Sequence, residues 1–196
     1  MVVVIDTCSL LAMTKYYLPF DDNQVLYHFI ESGFHAHTLI VVDAILNESR
    51  QTAKGYILAS FPFLENSKTH IIRTGDMFAP SPQRFSNQLD NNLCVSLRKK
   101  LLTDVEYTAA KQQYLLTGDA RLIIYALNYQ SDHKNDIFND FYVLTEESRF
   151  QNDGKLFKKL PLICDFLNIN TITLPEYFKQ NGIKVEYSCS ETNITY

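Results

Sequence analysis

The 196-residue sequence has no tryptophan, no C-x-x-C pair, no surplus of positive charge and no apolar run long enough to span a membrane. The missing tryptophan does not discriminate function; the other absences each exclude something. The four cysteines, Cys8, Cys94, Cys164 and Cys189, lie far apart, which argues against a zinc site or a disulfide framework and for reduced thiols in a cytoplasmic protein. Formal net charge is −4, so bulk charge does not recruit a polyanion. Any nucleic-acid site must therefore be local or metal-assisted. The first apolar run has no positive segment before it and is broken by Asp6, which suits neither a signal peptide nor a membrane span. Among five histidines the only metal-type spacing is His35-x-His37, better read as a strand start.

What is present fits an ordinary packed domain. Hydrophobic residues make up 46%, and a chain of this size buries roughly 70% of its unfolded surface. Val2, Val3, Val4 and Ile5 read as a buried central strand ending in Asp6. Leu10 to Tyr17 keeps helical spacing until Pro19. Gln24 to Ser32 repeats it, with Asp21 or Asp22 as N-cap and Gly33 as stop. His37 to Val42 is a second strand. Asp43 is expected to cap a helix from Ala44 to about Phe63, and Lys68 to Arg73 a short strand. Gly75 to Arg84 reads as a loop. Phe85 to Tyr114 is mostly polar and helical, with a break near Leu102 to Asp104 and Asp104 as second cap. Asp119 to Gln130 is an amphipathic helix and Phe141 to Thr145 a strand. After a turn at Gly154 come a helix (Pro161 to Leu167), a short strand (Asn170 to Thr173) and a helix (Pro175 to Gln180) with Gly182 near its stop. The expectation is one domain over residues 1–187, with a helical insertion around 76–114 and a polar tail at 188–196. Strands alternating with helices predict an α/β fold with a parallel sheet.

Four acids stand at strand ends or near helix starts: Asp6, Glu48, Asp119, and Glu146 or Glu147. Each has a plain structural use. Asp6 and Asp119 suit helix caps, though Thr117 competes with Asp119. Glu48 suits a half-buried helix boundary, and Glu146–Glu147 an exposed first turn. In one parallel sheet, however, the four converge on the edge where ligands bind. Clustered carboxylates repel unless a cation sits between them, and oxygen-only ligand sets suit Mg²⁺ or Mn²⁺. A pair of such ions roughly 3.5–4 Å apart activates a water and stabilises a leaving oxygen in phosphodiester hydrolysis.

These residues resemble the PIN-domain family. Val4-Ile5-Asp6-Thr7-Cys8-Ser9 is similar to its first motif, the helix carrying Glu48 to the second acid, and Asp119 with Ile123 and Ala126 to the third. Val143-Leu144-Thr145-Glu146-Glu147 is similar to the fourth and places Glu147 at the acidic position. The stretch from Leu160 to Phe178 resembles a VapC-like subgroup. The resemblance implies a three-layer α/β/α sandwich with a central parallel sheet, Mg²⁺ or Mn²⁺ held by Asp6, Glu48, Asp119 and Glu147, and endoribonuclease activity. Many members are toxins of toxin–antitoxin pairs, so RNA and an antitoxin protein are the partners the resemblance implies, and a homodimer is a further open partner. Two features depart from the pattern. The fourth acid is Glu rather than Asp, and residues 76–114 are longer than a compact toxin needs; their open roles are to cover the site, bind a partner or form a dimer face.

Supporting residues follow. Thr7, Ser9 and Thr145 either cap or orient the acids. Arg98, Lys99 and Lys100 form the densest basic run, with Lys155, Lys158 and Lys159 next, and either suits phosphate contact or a solvated face. Cys8 beside Asp6 suggests a thiol nucleophile, but no His lies near it in sequence. A phosphoacceptor role for Asp6 would want a second acid close by, where Thr7 and Cys8 stand. The alternative to a nuclease is a non-catalytic PIN-like binding or scaffold domain.

Overall fold

The protein, seen in a computed structural model, is described over residues 1–66, 71–136, 140–150 and 154–184. Cys189, His70, part of the Lys68–Arg73 segment and the expected polar tail lie outside the described residues. Five strands form one parallel sheet: β1 (Val2–Ile5), β2 (Leu39–Val42), β3 (Ile71–Ile72), β4 (Phe141–Leu144) and β5 (Thr171–Ile172). Their order is β3-β2-β1-β4-β5. β1 is central, pairing Val3 with Leu39 on one side and Val4 with Val143 on the other. Helices sandwich the sheet in an α/β/α fold. Val3, Val4, Ile5, Val41, Val42, Val143 and Leu144 are fully buried, as strands covered on both faces must be.

The helices between β1 and β3 are α1 (Thr7–Ala12), α2 (Val25–His35), α3 (Asp43–Gln51), α4 (Tyr56–Ser60) and α5 (Phe63–Asn66). Between β3 and β4 run α6 (Pro82–Gln88), α7 (Ser96–Lys99), α8 (Asp104–Tyr114) and α9 (Gly118–Asp132). α10 (Leu160–Leu167) and α11 (Leu174–Gln180) complete the layers. No helix among the described residues is long and apolar enough to cross a membrane.

Several expected boundaries move, each for a local reason. α2 does not stop at Gly33 but runs on to His35. Gly33 is buried, and a Cβ there would sit 3.3 Å from Leu39 Cβ, so this glycine permits close approach to β2. Asp21 does serve the helix start, accepting from Leu26 N and Tyr27 N, although Gln24 is the cap residue. The single helix expected from Ala44 to Phe63 is broken after Gln51. Ala53, Lys54 and Gly55 all have positive φ, and a new helix begins at Tyr56. Asp43 is not its cap either. It lies in the first turn of α3, and its Oδ1 accepts from Ala44 N, Thr74 N and the Thr74 hydroxyl, tying β2 to the chain after β3. The helical region expected from Phe85 to Tyr114 starts earlier, at Pro82 inside the expected loop, where proline suits the first turn, and is interrupted by a π-turn (Leu89–Leu93) and again before Thr103. There Thr103, not Asp104, forms a capping box with Glu106.

Candidate active site

All five strands are parallel, so their C-terminal ends share one edge. The chain runs outward from β1 through β2 to β3, then crosses back to β4 and β5. The switch point therefore lies between β1 and β4, where α/β sheets open a crevice. Asp6 stands there, 2% exposed. It holds its neighbours as a cap does: Ser9 N donates to Oδ1 at 2.7 Å. Its other oxygen takes the Thr145 hydroxyl at 2.6 Å and the Cys8 thiol at 3.0 Å. Burial pushes its pKa up and these hydrogen bonds pull against it. Capping and site roles thus coincide in one residue. Ser9 Oγ donates to Leu144 O, stitching the turn to β4.

Glu48 reaches the same place from the middle of α3. Thr7 Oγ1 donates to its Oε2 at 2.9 Å, and Gly118 N to its Oε1 at 2.6 Å. Gly118 is required for that approach: a Cβ built on it would lie 2.6 Å from both Glu48 Oε2 and Ile45 Cδ1. A glycine opening a helix is a poor helix former. The Thr117-Gly118-Asp119 spelling is the sequence signal for this contact.

Thr117 wins the competition to cap α9, accepting from Ala120 N. Asp119 is thereby released. Among the described residues its carboxylate takes no hydrogen bond. Burial, then the charges of Glu147, Asp6 and Glu48, push its pKa up to about 7, while Lys155 pulls it down. Glu147 follows β4. Its N–H donates to Thr145 Oγ1 and its Oε2 accepts from Leu160 N. Glu146 turns the other way and accepts from Leu174 N at the start of α11. Of the two, Glu147 is the acid placed with the others.

Asp6, Glu48, Asp119 and Glu147 line one cavity of about 320 Å³, with Thr7, Cys8, Leu11, Thr52, Thr117 and Lys155. Lys155 Nζ is 3.9 Å from Glu147 Oε1. Burial and the Asp6 charge drive the Cys8 thiol far above its ordinary pKa. A thiolate nucleophile is thereby disfavoured, and Cys8 acts as a hydrogen-bond donor.

The expected basic run is divided. Lys99 turns inward to Asp90 O and the Tyr107 ring, and Lys100 does not line the cavity. Arg98 lies against Gly154, where a Cβ would meet its guanidinium at 3.1 Å, next to Lys155. The chain before Lys159 is zipped to the end of the π-turn: Val95 N donates to Leu156 O and Lys158 N to Leu93 O. That pairing holds α7 beside the Gly154–Lys158 segment. Lys159 is buried, 7% exposed.

Tyr114 was missed by sequence reasoning. Its hydroxyl is the one buried side-chain polar atom among the described residues with no hydrogen-bond partner. The ring stacks on Phe157 at 4.2 Å, and burial followed by the Asp119 charge raises its pKa. A buried orphan hydroxyl within electrostatic range of an acidic cavity marks a place for water or a ligand.

Do these residues fit a divalent cation? Among the described residues no three His, Cys, Asp or Glu side chains group closely enough to enclose one as they stand. Mg²⁺, however, is held through one or two carboxylates, with waters and substrate phosphate completing the shell. Four oxygen-donor acids around one cavity, one of them raised by burial and then by its neighbours' charge, suit that chemistry. The donor set fits.

The chain belongs to the family described as a domain of unknown function, DUF4411, whose sequence profile matches residues 3–185. Comparison with the curated proteins gives no match.

Proposed function

We propose that the protein is a Mg²⁺- or Mn²⁺-dependent endoribonuclease of PIN type. The observation that carries this is the convergence of Asp6, Glu48, Asp119 and Glu147 on one cavity at the switch point of a parallel sheet. The four acids hold the cation. Thr7 orients Glu48, and Thr145, Cys8 and Ser9 N orient Asp6. Lys155 offers positive charge in the cavity wall, where substrate phosphates enter an otherwise acidic cavity, and Arg98 lies against Gly154, the residue before Lys155. When bound, the cation supplies Lewis-acid activation of water and offsets charge on the leaving oxygen. Water oxygen bonds to phosphorus, the P–O3′ bond breaks, and a water proton ends on the departing 3′-oxygen, leaving a 5′-phosphate and a 3′-hydroxyl. No covalent enzyme intermediate is needed. A toxin–antitoxin role and cytoplasmic action belong to the same reading through the PIN resemblance.

The rival is a PIN-like scaffold without catalysis. It is favoured by one observation: both carboxylate oxygens of Asp6 and of Glu48 are already hydrogen-bonded within the protein. The test is incubation with single-stranded and structured RNA in Mg²⁺, Mn²⁺ or EDTA, for wild type, Asp6→Asn and Asp119→Asn. Cleavage should need the metal and fail in both variants. Metal-independent cutting, or full activity in both variants, sinks the nuclease reading; absence of cutting with absence of metal binding supports the scaffold.

A further inference from the structure

A second cavity, about 310 Å³, opens on the same strand edge at the ends of β2 and β3. It shares Glu48 with the acidic cavity, so the two adjoin across one side chain. Its walls include Asp43, Asn47, Gln51, Leu116 and Arg121. Asn47 and Gln51 are exposed and lie four residues apart on α3, so they present two amides on one side of the helix. Leu116 is an exposed apolar surface, 63% accessible. Arg121 is pinned: its Nη1 donates to Thr74 O and Met77 O. Asp43 takes all three of its hydrogen bonds on Oδ1 and none on Oδ2 among the described residues.

We infer that this cavity receives one unstacked nucleobase of single-stranded RNA, next to the phosphate that is cut. The inference rests on the ribonuclease reading for the presence of RNA. The chemistry of the walls selects a base over a phosphate. Asp43 and Glu48 repel an anion, whereas a neutral base can donate to Asp43 Oδ2, exchange hydrogen bonds with the Gln51 amide and accept from Asn47 Nδ2, the Asn47 Oδ1 being taken by Arg50 Nη1 at 2.6 Å. Proteins read unpaired bases in this way, by stacking on apolar or guanidinium planes and bonding along the base edge. Amides and carboxylates are the groups that discriminate among base edges. The arrangement divides the labour: phosphates enter past Lys155, and a base lodges on the opposite side of Glu48. Cutting should therefore prefer particular bases at one position beside the scissile bond and should require single-stranded RNA.

Two measurements on the full chain test this separately from the nuclease reading. In the first, adenosine, guanosine, cytidine and uridine are titrated in EDTA and followed by NMR. At least one should bind, and Gln51→Trp, which fills the cavity from an exposed position, should weaken it at least tenfold. In the second, a random-sequence RNA is digested with Mg²⁺ and the new ends are sequenced. Wild type should show a base preference beside the cut, and Asp43→Asn, which replaces an acceptor by an amide, should change it. If RNA is cut in a metal-dependent way but without base preference, or with the same preference in wild type and Asp43→Asn, the base cavity is wrong and the nuclease reading survives. If RNA is not cut, the nuclease reading falls and the titration decides alone. Nucleoside binding lost in Gln51→Trp then keeps the cavity, and binding absent or unaffected removes it.

Discussion

Asp90 and Asp119 are both partly buried aspartates, and their surroundings are opposite. Asp90 lies within the π-turn of the 82–114 region. Lys111 Nζ donates to its Oδ1 at 2.7 Å, and so does the Tyr107 hydroxyl at 2.8 Å. Burial works to raise its pKa, but these partners more than offset it and the pKa is lowered. Asp119 is raised by burial too, and there the charges of Glu147, Asp6 and Glu48 add to the rise, so its pKa goes up to about 7. One carboxylate holds a helical region together. The other is held in place by a fold that gains nothing from its charge. Local electrostatic conflict of this kind is typical of functional sites, where stability is sacrificed for chemistry.

The sharpest way to break the comparison is to neutralise Asp119. Asp119→Asn should lower Mg²⁺-dependent RNA cleavage on the order of a hundredfold or more, the scale seen when a charged group stabilising a reaction is lost. The same change should raise thermal stability at pH 8 without metal, because it removes a repelled charge. A variant that loses stability and keeps activity would place Asp119 with Asp90 as a structural residue. Gly118→Ala comes next. The new methyl would meet Glu48 Oε2 and Ile45 Cδ1 at 2.6 Å, so Glu48 must give up its bond to Gly118 N. Cleavage should fall by roughly tenfold or more, as for displaced groups that orient metal ligands. Unchanged kinetics would show that Glu48 is not needed where it stands.

pH offers a milder probe. The folded pKa of Asp119 lies above its unfolded value, near 7 against 3.8. Between those pH values the folded state keeps a proton that the unfolded chain has lost, so stability falls as pH rises through this window. A cation in the cavity opposes that loss. Mg²⁺ should therefore raise the melting temperature by several degrees at pH 8 and by less at pH 5, with the difference abolished in Asp119→Asn. Equal shifts at both pH values would mean that Mg²⁺ acts elsewhere. On the other side of the comparison, Lys111→Met removes bonds to Asp90 Oδ1, Ser86 Oγ and Ser86 O. It should cost about 1–3 kcal/mol in urea denaturation, the scale of hydrogen bonds to charged groups, and leave metal-dependent cleavage as it was. A loss of cleavage would tie the 82–114 region to the site more tightly than the Arg98–Gly154 contact alone.

The unequal visibility of the two aspartates in the sequence follows from the same physics. Asp6 was legible because a buried strand ending in an acid is a local pattern, and the parallel sheet follows from alternating strands and helices. Asp6, Glu48, Asp119 and the Glu146–Glu147 pair stand out in order for that reason, while in the sequence the choice of Glu147 over Glu146 rests on the PIN resemblance alone. Whether Asp119 caps its own helix was not legible, since Thr117 and Asp119 both suit the task and tertiary contacts chose. The break at Thr52 to Gly55 was hidden because Ala53 and Lys54 carry no signal for left-handed backbone. Asp90 gave no sign at all: its partners Tyr107 and Lys111 lie 17 and 21 residues away on another helix. Nor could spacing show that residues 94 and 157 would pair and bring Arg98 beside Lys155.

Tyr114 gives the smallest expected effect and separates the two kinds of surroundings most finely. It ends α8, the helix that carries Lys111, yet its hydroxyl lies within electrostatic range of Asp119. A buried hydroxyl without a partner costs stability, so Tyr114→Phe should leave the metal-free protein unchanged or up to about 1 kcal/mol more stable. The stack on Phe157 survives the change, because the ring is kept. If the hydroxyl instead holds a water that the cation-loaded cavity needs, the same variant should lose stabilisation by Mg²⁺, with kcat lowered and KM unchanged. Stability is read by urea denaturation with and without Mg²⁺, and kinetics on one single-stranded RNA. A loss of metal-free stability would reveal a partner for the hydroxyl and return Tyr114 to the structural side with Asp90. Equal response to Mg²⁺ in both proteins would remove it from the site while leaving the four carboxylates untouched.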